Sequence, residues 1–461
     1  MMNWINCISA KRTGYPNAST ASIRSDYQRD YDRLIFSSAF RRLQNKTQVF
    51  PLPGSSTFVH NRLTHSLEVA SVGRSLGSVV GEFIGKGVSS HKEAQRFYLH
   101  DLKGVVGAGC LAHDVGNPAF GHSGEKAISN YFIQNEQSMI AGEWLSSFFS
   151  EKEWSDLTNF EGNANALRIL THHFKGKMSG GLSLTYTTLA SILKYPCESV
   201  AVSKSQKHRK KYGFFQSEQP IFSSIVEDTH MYKQSDEPMS YFRHPFVYLV
   251  EAADDICYRI IDMEDAHKLK IVSRQEVENA FLNVIAELGR PEDDLDKIKN
   301  TLQKLDDDNE SIAYLRAKSI NALVMECADV FKKNADLILQ GKYASTLMDE
   351  VEEKCSSLQK IQEISVQRIY NHHSVIKVEL AGYKVMSGLL ELFVPGVLDP
   401  NPPGMAKKSL VLMPEQFKTE KNAPPYEKVM GVIDFVSGMT DDYAIEMYRN
   451  IMGIEIAMHS A

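Results

Sequence analysis

Paired cysteines, long apolar runs and an excess of basic charge are all missing from this chain. Its six cysteines (Cys7, Cys110, Cys197, Cys257, Cys327, Cys355) are scattered with no CxxC pair, which argues against a zinc knuckle or a disulfide framework. Cys110 and Cys257 lie in apolar helical stretches and read as small core residues. No run of about 18 apolar residues occurs, so no membrane span is expected. The opening MMNWINCISAKRTG lacks the apolar stretch of a signal peptide, and a cytoplasmic, reduced protein is the expectation. Basic residues number 51 against 57 acidic, a net charge of −6, so the overall field does not advertise nucleic-acid binding. The basic run KHRKK (207–211) is either a local anion site or a solvated loop. Familiar nucleotide and hydrolase signatures are also missing. GEFIGKG (81–87) is one residue short of a P-loop and follows no strand, and neither GxSxG nor HExxH occurs.

What the chain does contain is helix. Hydrophobic residues make up 43% of 461 and charged residues 23%, enough for a large core at ordinary globular composition; that length allows about two to four domains. Helical apolar spacing runs through 26–44, 63–84, 97–114, 124–133 and 246–268, and almost continuously from 274 to 395. Gly116-Asn117-Pro118 terminates the third of these. Pro291 marks a helix start, and the Pro-rich 394–405 marks a loop. Strand signals are sparse: 210–216 and 221–226 could form a short hairpin or a loop wall. The fold class expected is all-α, with at most a short hairpin.

Three segments carry residues suited to a divalent cation: RLTHSLEVA with His65, CLAHDVGNPAFGHSGE with His113 and Asp114, and LVEAADDICYRIID with Asp254. Two imidazoles and two carboxylates suit such an ion with positions open to water and a phosphate oxygen. Adjacent helical residues point about 100° apart, but the break after Asp114 relaxes that restriction. Asp254, Tyr258 and Asp262 fall at i, i+4 and i+8, one helical stripe on a helix whose other positions are largely apolar. Buried carboxylates are costly unless paired or bound to a cation. The stripe is therefore either a ligand with two polar contacts or a solvent-facing row. His122 and Glu125, at i and i+3, could hydrogen-bond if a helix begins near Ser123, which would orient the imidazole and raise its basicity.

Taken together, FRRLQNKTQVFPL, RLTHSLEVA, HDVGNPAFGHSGE, FEGNANALRIL, LVEAADDICYRIIDMED and DFVSGMTDDYA resemble the deoxyguanosine triphosphate triphosphohydrolases of the HD-domain superfamily. The matching blocks run from about residue 24 to 449. The resemblance implies an HD-type helical core over 24–270, a helical extension over 271–395 and a C-terminal helical tail over 396–461. It implies hydrolysis of dGTP to deoxyguanosine and inorganic triphosphate. His65, His113, Asp114 and Asp254 would hold Mg²⁺ or Mn²⁺, and His122 and Glu125 would be catalytic. Gln48 would lie near the sugar, and Arg62, Asn163, Lys194, Tyr195 and Lys211 along the phosphates. Tyr258 and Asp262 would contact the deoxyribose. It implies a homo-oligomer, a hexamer in relatives, and single-stranded DNA remains a further partner to test. One departure is that YEKVMGVIDFVSG (426–438) contains no arginine, where members commonly carry basic residues. A broader dNTPase is thus the alternative to strict dGTP preference.

Overall fold

The protein is described here by a computed structural model covering residues 2–14, 24–51 and 59–454; residues 455–461 of the expected tail lie outside the described part. The fold is all-α, as the periodicity predicts. Its only strands among the described residues are two short antiparallel pairs, Met139–Ile140 with Glu143–Trp144 and Lys233–Ser235 with Ser240–Tyr241.

The expected helix over 26–44 is broken. Helix α1 (Asp26–Phe36) stops at Ser37, which takes an extended conformation. The Ser37 hydroxyl accepts from Phe40 N and donates to the Leu34 carbonyl, capping a second short helix, Ser38–Arg42. Such a side chain competes locally with the helical ladder. Helix α2 (Arg62–Gly87) starts at a capping box on Asn61 and packs along α3 (Leu102–Ala112). The close approach depends on glycine: a Cβ at Gly81 would lie 2.3 Å from the Tyr98 carbonyl oxygen. A π-helical turn, Phe97–Asp101, precedes α3, so 97–114 is not one uniform helix.

After the turn 113–121 comes α4 (His122–Gln134), then α5 (Gly162–Thr171). Of the two readings of 210–216 and 221–226, the hairpin does not form. Residues 219–228 are helical, with Pro220 in the first turn and Phe222, Ile225 and Val226 buried at helical spacing. Residues 210–215 are irregular chain whose Tyr212, Phe214 and Phe215 are buried. Helix α6 (Val247–Lys268) is largely buried and packs against α2 and α3. Pro291 starts no helix: Arg274–Leu288 ends on left-handed Gly289, and the next helix, Leu295–Leu302, is capped by Asp294. Pro395 lies inside the last turn of α7 (His373–Leu398) rather than in the following loop. Helices α8 (Pro425–Ser437) and α9 (Asp441–Ile451) complete the described chain. Although α7 is long and apolar enough by composition to cross a membrane, it packs against α4 and α8.

The described residues bury two apolar clusters. One gathers α2, α3 and α6, with residues as distant as Phe331 and Leu358. The other gathers α4, α7 and α8. Their seam passes through the turn after α3, since Val115 belongs to the first cluster and Ala119 and Phe120 to the second.

Candidate active site

Three chain segments converge at this seam. Asn61 accepts from Thr64 N at 2.9 Å and fixes the start of α2, placing Arg62 and His65 at its first turns. His113 is the C-terminal cap of α3 and Asp114 begins the turn; this is how neighbouring residues come to face one region. Asp254 projects from α6.

His65 Nε2 lies 3.1 Å and His113 Nε2 3.4 Å from Asp254 Oδ1. The donor atoms of these three residues all lie within 4.8 Å of one another, a spacing that could hold a metal ion. Asp114 stands at the edge of the cluster, its Oδ1 3.6 Å from His113 Nε2. Its Oδ2 accepts from Arg62 at 2.9 Å, and its Oδ1 accepts from Asn117 Nδ2. The His113 Nδ1–H donates to the Cys110 carbonyl at 2.6 Å. That contact fixes the tautomer and leaves Nε2 as the donor atom facing Asp254.

The electrostatics suit a cation. Burial raises the Asp254 pKa, but His113 and His65 outweigh it and hold the carboxyl well below its ordinary range. Asp114 is likewise lowered against burial, by Arg62, His113 and His65. Burial pulls His113 down, yet Asp114 and Asp254 lift it to about 9. Two ionised carboxylates beside two imidazoles are the donor set a hard or borderline divalent ion takes.

Two cavities meet at the cluster, sharing Asp114, Asn117, His122, Asp254 and Tyr258. The first, about 300 Å³, is lined by Asn163, Lys194, Tyr195 and Lys211, with His122 and Glu125. Its lysines already hold carboxylates: Lys194 lies 3.3 Å from Glu251, and Lys211 lies 2.8 Å from Glu161 and 3.9 Å from Glu125. The second, about 290 Å³, is lined by Gln48, Arg62, Tyr370, Val375 and Val378. Gln48 Oε1 and Arg62 Nε are buried there without a hydrogen-bond partner among the described residues. Unpaired buried polar atoms are costly.

Three sequence expectations need adjustment. No His122–Glu125 hydrogen bond is present. Helix α4 begins at His122 itself, Ser123 donates to the Glu379 carbonyl, and Glu125 Oε1 accepts from Gly162 N at 2.9 Å, at the positive end of α5. Asp262 lines neither cavity; it accepts from the Tyr370 hydroxyl at 2.8 Å and braces that ring, which stacks on Tyr258 with centroids 5.5 Å apart. The stripe on α6 is not solvent-facing, since Asp262 is buried. Tyr370, Asn117 and Glu161 escaped the sequence reading. Tyr370 sits in an amphipathic stretch with no local signal, whereas Asn117 and Glu161 lay inside blocks already singled out.

Comparison with known proteins is consistent with this geometry. The HD domain family matches residues 62–208, and the phosphohydrolase-associated domain family matches 345–450. A deoxyguanosinetriphosphate triphosphohydrolase-like protein of Synechocystis sp. is 36% identical over 462 residues, covering 99% of this chain and 100% of its own. A like-named protein of Pseudomonas aeruginosa is 37% identical over 458 residues, covering 98% of this chain and 99% of its own. The deoxyguanosinetriphosphate triphosphohydrolase of Yersinia pestis is 29% identical over 492 residues, covering 93% of this chain and 94% of its own.

Proposed function

Since the chain belongs to the deoxyguanosinetriphosphate triphosphohydrolase-like family of HD-domain phosphohydrolases, we propose that it hydrolyses dGTP to deoxyguanosine and inorganic triphosphate. His65, His113, Asp114 and Asp254 would hold the divalent ion, Mg²⁺ or Mn²⁺. The observation that carries this reading is the position of that cluster, where a cavity holding Lys194 and Lys211 meets one walled by Phe120, Tyr258 and Tyr370. When bound, the ion would supply charge stabilisation at an α-phosphate oxygen and help orient water.

The chain's own residues do the rest. A triphosphate carries roughly four negative charges and needs fixed donors. Lys194, Lys211, Arg62 and Asn163 would take its oxygens, the lysines exchanging Glu251 and Glu161 for phosphate. Tyr258 and Tyr370 would form the wall for the sugar, with Asp262 holding Tyr370, and Gln48 lines the same cavity. Burial, then the charges of Lys211 and Arg62, depress the His122 pKa. The imidazole is therefore neutral at neutral pH and able to accept a proton from the attacking water. Lys211 lies between Glu125 and Glu161, so the phosphate grip and the Glu125 carboxylate are tied together.

The test is hydrolysis of all four dNTPs with Mn²⁺ or Mg²⁺, with products separated. Triphosphate release that His65→Ala and Asp114→Ala abolish is expected, and pyrophosphate or orthophosphate release would overturn the assignment. Comparable rates on all four would favour the broader dNTPase. A homo-oligomer belongs to the same reading, and the exposed Ile376 and Leu380 on α7 are apolar surface that a second copy could cover.

A further inference from the structure

The block DFVSGMTDDYA lies far along the chain from every residue given a role above, yet the fold threads it behind the active-site turn. Asp441, the first residue of α9, is buried, and its carboxylate makes two bonds to backbone amides of the site walls. Oδ1 accepts from Phe120 N at 3.0 Å and Oδ2 from Thr47 N at 2.8 Å. The turn it grips is an unusual one. Phe120 has φ 61° and Gly121 φ 55°, immediately before His122. A non-glycine residue holds that conformation only where its surroundings impose it.

The two bonds are not equivalent. Thr47 is pinned independently by a bridge to Asn61. The Phe120 amide, by contrast, has Asp441 as its partner. Beside it, the Phe120 ring lies against Gly382, where a Cβ would meet the ring at 2.3 Å. Lys46 Nζ donates to the carbonyls of Asn117 (2.6 Å) and Ser437 (3.0 Å), tying the start of the turn to the same C-terminal block.

We propose that Asp441 is a positioning residue for His122: by holding the Phe120 amide it locks the left-handed turn that aims the imidazole into the active-site cavity. The proposal rests on the catalytic reading of His122. It gives the C-terminal segment a part in the chemistry that no contact with substrate requires.

The test compares His122→Ala, Asp441→Ala, Asp441→Asn and the exposed neighbour Asp442→Ala as a control, measuring kcat, KM, Mn²⁺ affinity by calorimetry and thermal unfolding. Asp441→Ala should lower kcat about 100-fold, the scale of a catalytic group displaced by roughly 1 Å, while KM changes less than about threefold. Asparagine removes one acceptor and turns an amide N–H₂ toward a backbone N–H, so Asp441→Asn should lower kcat about tenfold and decides the matter if the alanine variant does not fold. Mn²⁺ affinity should hold, because His65 and Asp254 lie on other helices and His113 and Asp114 lie at the α3 end of the turn, away from the Phe120 amide that Asp441 holds. A folded Asp441→Ala with kcat within about twofold of wild type, beside an inactive His122→Ala, overturns the proposal. So does a fall in Mn²⁺ affinity matching the loss of kcat, which would make Asp441 a general prop. An active His122→Ala would instead overturn the reading of His122 itself.

Discussion

Single residues at this site are set by their charged neighbours more than by their own chemistry. Asp254 sits on a largely buried helix and still keeps its charge, because two imidazoles meet it at 3.1 and 3.4 Å. His122, one turn of chain away from Asp114, is pushed the opposite way by burial and by Lys211 and Arg62. This gives a pH prediction. In the proposed role the essential form of His122 is neutral, and its pKa lies below the ordinary 6.5, so kcat/KM should stay level as pH falls through 6.5 and drop only below it. A pH series of initial rates with metal held saturating measures this; an acid limb centred above 6.5 would sink the role given to His122. The proposed ligand residues could be singled out from the chain because each sits in a distinctive local block. Tyr370 could not, since its meaning comes entirely from stacking on Tyr258 and donating to Asp262.

Three helices meet the site through their ends, while α6 supplies Asp254 and Tyr258 from its interior. The C-terminus of α3, the N-terminus of α2 and the N-terminus of α5 all point into it, and the turn 113–121 must fit between them. Gly116 allows that fit: a Cβ there would stand 2.0 Å from the Gly162 carbonyl oxygen and 2.2 Å from Ala166 N. Both are backbone atoms, so nothing flexible can yield. Gly116→Ala should destabilise the protein by about 3 kcal/mol, the upper range for overpacking. It should also weaken Mn²⁺ binding as Asp114 is displaced, both read from denaturant midpoints and calorimetry. Unchanged values for both would show that the turn is not packed as described. Helix existence followed from apolar spacing, and helix ends did not. The breaks at Ser37 and Gly289 are set by a side-chain cap and a left-handed residue, and Pro395 lies inside a helix that ends at Leu398.

Across the whole molecule, buried ion pairs join parts that the two apolar clusters would otherwise leave separate. Arg168 on α5 donates to Asp434 on α8 through two nitrogens, each at 2.8 Å, and to Glu218 at 2.7 Å. Burial raises the Glu218 pKa, but Arg168 overrides it and keeps the carboxyl below its ordinary value. That contribution is present above about pH 4.5, the ordinary value, and fades as pH falls. His60, bonded to Asp265 at 2.8 Å, behaves in the opposite sense. Burial lowers its pKa, and Asp265 and Glu68 lift it to about 9. Its contribution is complete below 6.5 and is lost as pH rises through about 9. Unfolding free energy should therefore fall on both sides of a plateau between about pH 4.5 and 6.5. In His60→Gln the alkaline fall should be smaller; denaturant titrations across pH measure it, and an alkaline limb identical in the two proteins would refute the assignment.

The sequence by itself determined the all-helical class, the ligand and catalytic candidates and the family blocks, because apolar period and short charged motifs are local properties of a chain. Tertiary structure alone decided which partner each polar group takes. Glu125 bonds the amide of Gly162 rather than His122, Asp262 supports Tyr370 rather than facing a cavity, and Asp441 reaches the turn before His122. Each of these pairings joins residues dozens to hundreds of positions apart. Their cost and benefit arise only when burial removes water as the competing partner.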